Sequence, residues 1–434
     1  MAHSLRACLF RTGWRLPSLL AICLVGCGNS GASPASAGTA GAGGGAGVAA
    51  IGGSSGAAGS AGGAPTSSGT GGSGGLASNQ GGGPAGAGGT IGVAGAGGGS
   101  EMAGAAGNGG GPGRPLGEPI SAPSRTWTWV DFPGAHCRDG SPTGIGVNFE
   151  TNSNKVVIFL EGGGACFSPQ SCAGNPSKRG AMFGGPFGRD AGNPFADYNW
   201  VYIPYCTGDC FAGNNPTGNV PGVGPQQFVG YANLELFLDR VVPTFPNVAQ
   251  VVVTGASAGG LGAAYNASHV ARRFGSVPTV ALDDSAPPLS TQYIPACFPT
   301  LMRTLWGLDS SVLADCGADC PKKDDFLVDL TLHFVRDTRH SVGILNSYDD
   351  ATDLNVFNQG GQACGSPAMT AAALESGLLG LRAAGKATAN RFATFYVPST
   401  NHVWLGNYGT TVNGTALGSW VKDLLNGVYN HVGP

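Results

Sequence analysis

Ser257 sits at the centre of Gly255-Ala256-Ser257-Ala258-Gly259, inside the run V-V-V-T-G-A-S-A-G-G-L-G. A serine hydroxyl is a poor nucleophile at neutral pH. It performs acyl transfer only when a histidine takes its proton and a carboxylate holds that histidine in the right tautomer. The G-x-S-x-G spacing alone is weak evidence in so glycine-rich a chain, since Gly52-Gly53-Ser54-Ser55-Gly56 and Gly71-Gly72-Ser73-Gly74-Gly75 also match it. Context separates them. Residues 250–254 read as a buried strand, 255–259 as a sharp turn, and Gly260 onward as an alanine-rich helix with Leu261 and Tyr265 on one face. Strand, tight turn and helix are what a nucleophile elbow requires, and a side chain at Gly255 or Gly259 would collide with the neighbouring strand or helix. The other two copies have no strand before them.

In an elbow fold the partners follow in the order serine, acid, histidine. Downstream of Ser257 lie His269, His333, His340, His402 and His431. His269 falls inside the elbow helix and His431 in the terminal helix, while His333 and His340 precede a strand. His402 alone follows a strong strand, in F-Y-V-P-S-T-N-H, where a loop can return it to the serine. For the acid, Asp283 and Asp284 follow one strand and Asp349, Asp350 and Asp353 the next; spacing leaves the choice open, and either group also suits a helix cap. A tetrahedral oxyanion needs backbone donors. V-I-F-L-E-G-G-G runs a strand into Gly162, Gly163 and Gly164 ahead of the elbow, and with the amide of Ala258 these glycines form a candidate oxyanion hole. The glycine run lacks the lysine of a phosphate-binding loop and the spaced glycines of a dinucleotide fold.

The elements that must position these groups recur with regularity. Apolar runs rich in valine, isoleucine and aromatics at 156–160, 200–204, 250–254, 279–282, 342–345 and 393–397 predict strands. Helical spacing at 231–241, 260–273, 369–384 and 420–429 falls among them. Such alternation predicts an α/β, α/β-hydrolase-like domain: a mostly parallel sheet with helices on both faces, whose ligand site lies beyond the carboxyl ends of the strands.

The 434 residues are not of one kind. Arg6, Arg11 and Arg15 precede a short apolar run that predicts a signal peptide over residues 1–27. Leu24-Val25-Gly26-Cys27 resembles the bacterial lipobox, in which the cysteine carries a lipid, so Cys27 is the expected lipidation site and export to the bacterial surface or periplasm the expected destination. Residues 28–119 are glycine, alanine, serine and little else, a composition that predicts a flexible, disordered linker whose ends lie about 50 Å apart on average. Residues 120–434 form the domain. With 18 Lys+Arg against 23 Asp+Glu it carries a net charge of −5, which argues against a nucleic-acid partner. Arg272-Arg273 and Lys322-Lys323 are the local clusters that could attract an acidic polysaccharide. The domain holds nine of the chain's 12 cysteines, which export turns into disulfide candidates: Cys166 with Cys172, Cys206 with Cys210, Cys316 with Cys320, and at least one left over. Zinc would call for paired C-x-x-C or helical histidine spacing, and neither occurs; no metal and no cofactor is expected.

Several motifs in order resemble one family, the pectin acetylesterases and related Notum carboxylesterases. They are Cys137-Arg138-Asp139-Gly140-Ser141-Pro142, Leu160-Glu161-Gly162-Gly163-Gly164 with Cys166, Tyr205-Cys206, the elbow from Gly255 to Leu261, Leu345-Asn346-Ser347-Tyr348-Asp349, and His402. The resemblance implies a serine carboxylesterase with Ser257, Asp349 and His402 as triad and the amides of Gly163, Gly164 and Ala258 as oxyanion hole. It implies an acylated glycan or other ester as substrate, with acetyl groups on pectin as the family's namesake and a longer-acyl, Notum-like ester as the alternative. Membrane contact is expected through the lipid anchor only. Plant members often carry cysteine at the position of Ala256, tryptophan at that of Gly164, and a cysteine shortly before the histidine, where this chain has Thr400 and Asn401. A surface binding protein with an idle hydrolase fold and a peptidase using the same triad are the other readings of this pattern.

Overall fold

A computed structural model describes residues 116–173, 185–320 and 325–434. The expected signal peptide, Cys27, Lys322-Lys323 and nearly all of the linker lie outside them. Within the described residues nine strands form one sheet. In spatial order they are Thr128–His136, Pro142–Asn148, Asn199–Ile203, Lys155–Leu160, Gln250–Ala256, Thr279–Asp284, Ser341–Ser347, Phe392–Val397 and His431–Val432. Pairing is antiparallel among the first three and parallel from Asn199–Ile203 onward. All six predicted strands are present.

The apolar runs are continuous because both faces of the sheet are covered. Val251 and Val253 enter one core with Val156, Ile158 and Leu160. Val252 enters the other with Val157 and Phe159. The first core is closed by Gly230–Thr244, Ala258–Phe274, Phe326–Arg336 and Ala371–Thr388, through residues such as Phe237, Val270, Leu330 and Leu378. The second is closed by Leu417–Leu425, which buries Trp420, Val421 and Leu424. The sheet is thus a slab covered on both faces, with the functional loops leaving from the ends of its strands.

The terminal helix stops short of the expected 429. Asn426 caps it and Gly427, at φ 82°, turns the chain, with Gly427 N donating to Leu424 O and Val428 N to Asp423 O, a left-handed stop that glycine allows. His431 therefore belongs to the edge strand and not to a helix.

Among the described residues four disulfides are present: Cys137–Cys206, Cys166–Cys172, Cys297–Cys364 and Cys316–Cys320. The expected pairing of Cys206 with Cys210 is corrected: Cys206 meets Cys137, 69 residues away in sequence, with 4.8 Å between Cα atoms. Cys210 is the buried free thiol among the described residues. A bridge across so long a segment removes much chain entropy from the unfolded state. Replacing Cys137 and Cys206 together by serine should cost about 4 kcal/mol in urea unfolding, more than the same change at Cys316 and Cys320, which are only four residues apart.

Candidate active site

The elbow is built as its glycines require. Ser257 has φ 57° and ψ −124°, a strained backbone for a residue with a side chain, between the strand Gln250–Ala256 and the helix Ala258–Phe274. A Cβ on Gly255 would strike Leu160 O and Gly259, and one on Gly259 would strike the carbonyls of Leu160 and Glu161. The Ser257 amide donates to Asp284 O at 2.7 Å, tying the turn to the neighbouring strand Thr279–Asp284. The glycine run that ends the strand Lys155–Leu160 lies against this turn: a Cβ on Gly162 would meet Ala256 O and Ser257 Cβ, and one on Gly163 would meet Tyr205. Gly164 takes φ 77°, the left-handed region that glycine enters freely. Ala258 is the first residue of the elbow helix, where backbone N–H groups have no intrahelical acceptor and the helix dipole favours negative charge.

His402 arrives on the loop after Phe392–Val397, as expected from the sequence. The loop is docked by its backbone. Val403 N donates to Ser285 Oγ at 3.1 Å, Trp404 N to the Asp284 carboxylate at 2.9 Å and Leu405 N to Asp284 Oδ2 at 2.7 Å. Ser347 Oγ donates to Asn401 O and accepts from Trp404 Nε1. Asp284, weighed from the sequence as a possible catalytic acid, is instead the anchor that ties the histidine loop to the strand end whose carbonyl holds the Ser257 amide. Burial raises its carboxyl to about 6, with the amides of Leu405 and Trp404 and the Ser285 hydroxyl pulling the other way.

The carboxylate on His402 is that of Asp350. Its Oδ2 lies 2.9 Å and its Oδ1 3.0 Å from Nδ1. The family resemblance implies Asp349, but the side chain that the structure brings to His402 is that of the next residue, Asp350. Asp349 is exposed and its amide donates to Ser399 O, whereas Asp350 is fully buried at the cap of the helix Ala351–Ala363, accepting from the amides of Thr352 and Asp353. The capping role that the sequence offered as a rival explanation thus falls on the same side chain that holds the histidine. With Nδ1 facing a carboxylate, Nδ1 carries the proton and Nε2 presents its lone pair. Nε2 is buried and accepts no hydrogen bond among the described residues.

Burial alone would lower the His402 pKa, but the Asp350 hydrogen bond and the charges of Asp353, Asp350 and Asp284 outweigh it, and the net shift is upward from 6.5. A general base works unprotonated, so a higher pKa moves its useful range to higher pH. The acid limb of kcat/KM against pH should therefore inflect above 6.5; an inflection at or below that value contradicts this electrostatic assignment.

Asp353, buried to 4% exposure, stands behind the pair with Oδ1 3.8 Å from His402 Nδ1 and Oδ2 accepting from Asn346 Nδ2 at 3.0 Å. Burial and the neighbouring Asp350 push its carboxyl up to about 7. Asp350, Asp353 and His402 bring three donor atoms within 4.8 Å of one another, a grouping that the imidazole–carboxylate hydrogen bond accounts for. Asp283 is buried, its carboxyl raised well above the ordinary range by burial and by the charges of Asp353 and Asp284, and it packs where a Cβ on Gly260 would fall. A narrow cavity of about 50 Å³ opens beside Ser257, with Gly164, Ala258 and Asp353 in its wall.

Three other histidines weighed from the sequence hold the scaffold. His269 is buried beside Glu235 and stacks on Tyr231, and His340 is buried against Phe334. His431 sits on Thr394 in the edge strand. The expected basic cluster at Arg272-Arg273 is largely spent. Arg273 is buried between Glu235 and Asp239, and Arg272 pairs with Asp315.

A mostly parallel slab with a strained serine elbow and a histidine held by a buried acid defines an α/β-hydrolase-like protein. Residues 127–286 match the pectinacetylesterase family. The planarian Schmidtea mediterranea palmitoleoyl-protein carboxylesterase NOTUM is 33% identical over 154 residues, covering 32% of this chain and 28% of the relative. Pectin acetylesterase 4 of Arabidopsis thaliana is 32% identical over 142 residues, covering 30% of this chain and 34% of the relative. An inactive palmitoleoyl-protein carboxylesterase, notum1b of Danio rerio, is 30% identical over 95 residues, covering 18% of this chain and 67% of the relative. Among solved structures, the Wnt deacylase Notum from Drosophila superimposes with a TM-score of 0.51 at 18% identity, over 69% of this chain and 93% of that one, a likeness of fold. The chain belongs to the pectin acetylesterase and Notum family. It spans about a third of the length of the first two relatives.

Proposed function

We propose that the chain is a serine carboxylesterase in which Ser257, His402 and Asp350 act as the triad. The observation that carries this reading is the buried Asp350–His402 hydrogen bond with Nε2 left open, on a loop anchored through Asp284 to the carbonyl that holds the Ser257 amide. Ser257 Oγ attacks the ester carbonyl carbon as its proton passes to His402 Nε2, and Asp350 stabilises the imidazolium that forms. The amides of Gly163, Gly164 and Ala258 receive the oxyanion; one such donor is worth roughly 2.7–4 kcal/mol of barrier. The intermediate collapses as Nε2 returns the proton to the departing alcohol oxygen. Water then attacks the acyl-enzyme, its proton again passing through Nε2, and the carboxylic acid leaves.

The substrate class that the small cavity and the pectin acetylesterase relative support is a short acyl ester, with an acetylated polysaccharide as the favoured form and a longer, Notum-like acyl ester as the alternative. Four disulfides fit an oxidising compartment and so support export. Lipid attachment at Cys27 and a tether formed by residues 28–119 complete the proposal. Mass spectrometry of the mature N-terminus should find Cys27 acylated.

The test is a panel of acetyl, butyryl and longer aryl esters, acetylated glycans and matched amides. Ester turnover well above amide turnover is expected. The reverse would make the chain a peptidase. Absence of any turnover would make it a binding protein on an idle fold; the zebrafish relative is itself named an inactive carboxylesterase.

A further inference from the structure

The wall of the cavity beside Ser257 is mostly apolar; apart from the nucleophile itself, the polar side chains in it are Thr352, the Cys210 thiol and the buried Asp353. Leu261, Phe298, Met302 and Leu327 line it from the elbow helix and the elements facing it, and Val356 and Phe357 from the helix Ala351–Ala363. Asp353 stands in that same helix wall, three residues before Val356 and four before Phe357, so the three share one face of the helix. It is a carboxyl at 4% exposure, tied down by Asn346 Nδ2 through Oδ2 and by its own amide to Asp350 Oδ1. It has nowhere to swing. The space of about 50 Å³ amounts to a few water-sized volumes, since a cavity needs roughly 10–15 Å³ to take one water. A two-carbon acyl group suits such a space. A longer aliphatic chain would have to press methylenes against the carboxyl, which loses favourable surroundings without gaining a hydrogen bond.

We propose that Asp353 is the specificity-determining residue of the acyl pocket, setting a buried, fixed carboxyl into a mostly apolar wall and so confining the acyl chain to short lengths. The proposal rests on the esterase reading and goes beyond it by naming the side chain that sets chain length. A single methylene in an apolar pocket discriminates about 10–200-fold, so removing a polar stop should be visible in the ratio of two substrates.

The experiment uses the full chain and two probes, p-nitrophenyl acetate and p-nitrophenyl hexanoate, with kcat/KM measured for wild type, Asp353→Ala and Asp353→Asn. Fluorophosphonate labelling of Ser257 in the wild type is scored alongside. The expected result is a hexanoate-to-acetate ratio at least tenfold higher in Asp353→Ala and at least threefold higher in Asp353→Asn. If Asp353→Ala does not fold, the near-isosteric Asp353→Asn decides alone by the threefold criterion. A ratio unchanged within twofold overturns the proposal. So does an equal loss on both esters, which is the signature of a residue that only supports His402. Should wild type itself fail to label at Ser257, the esterase reading falls; if it labels and the ratio stays fixed, only the role of Asp353 falls.

Discussion

Asp350→Asn should lower kcat/KM about 10⁴-fold, the size of effect expected when a triad acid becomes an amide and the imidazole is left in the wrong tautomer. Asp349→Asn should stay within about threefold of wild type. The two residues are adjacent in sequence and differ in everything the reaction needs. Asp350 is fully buried with both oxygens within 3.0 Å of His402 Nδ1, while Asp349 is exposed. Part of any Asp350 effect could come from the helix cap, because the same Oδ1 accepts from Thr352 N and Asp353 N. Asparagine is itself a good cap, so Asp350→Asn keeps the helix start and isolates the lost charge. Thermal unfolding of the variant should therefore change far less than its rate. A large loss in Asp349→Asn with little in Asp350→Asn would restore the alignment by motif and overturn the geometry.

His402→Ala should be deeper, about 10⁶-fold in kcat and similar for every ester tested, because without the base the serine keeps its proton. The comparison that gives this force is with His269 and His340. Both are buried, at 0% and 5% exposure, and each stacks on an aromatic ring, so alanine there should lower stability and leave the turnover of the folded fraction near wild type. Kinetics paired with urea unfolding on the three variants distinguishes a base from two packing residues.

The sheet was legible because its strands are buried on both faces, and continuous runs such as Val251-Val252-Val253 leave little else for the chain to do. The elbow was legible because steric demands left fingerprints: Gly255 and Gly259 stand where any Cβ would strike backbone. What the sequence hid was a difference of one residue. In the stretch from Tyr348 to Asp353 three aspartates lie within five residues, and motif order selects the first of them. The useful signal was the helix start, Asp350 followed by Asp353 three residues on, since a capping carboxylate has to turn inward at the end of the buried strand Ser341–Ser347. Disulfide pairing was hidden for a different reason. Cys206 and Cys210 are near in sequence, but Cys210 takes φ 50° and turns its buried thiol toward Tyr205, and the partner of Cys206 comes from the end of the edge strand Thr128–His136, 69 residues away in sequence. The anchoring role of Asp284 depends on a loop more than 100 residues away and has no local pattern at all.

The most direct test of the central claim is to treat the folded chain with a fluorophosphonate and map the adduct by peptide mass spectrometry. One phosphonyl group on Ser257, absent in Ser257→Ala and formed far more slowly in His402→Ala, is the predicted result. No adduct, or an adduct that persists in Ser257→Ala, would contradict it.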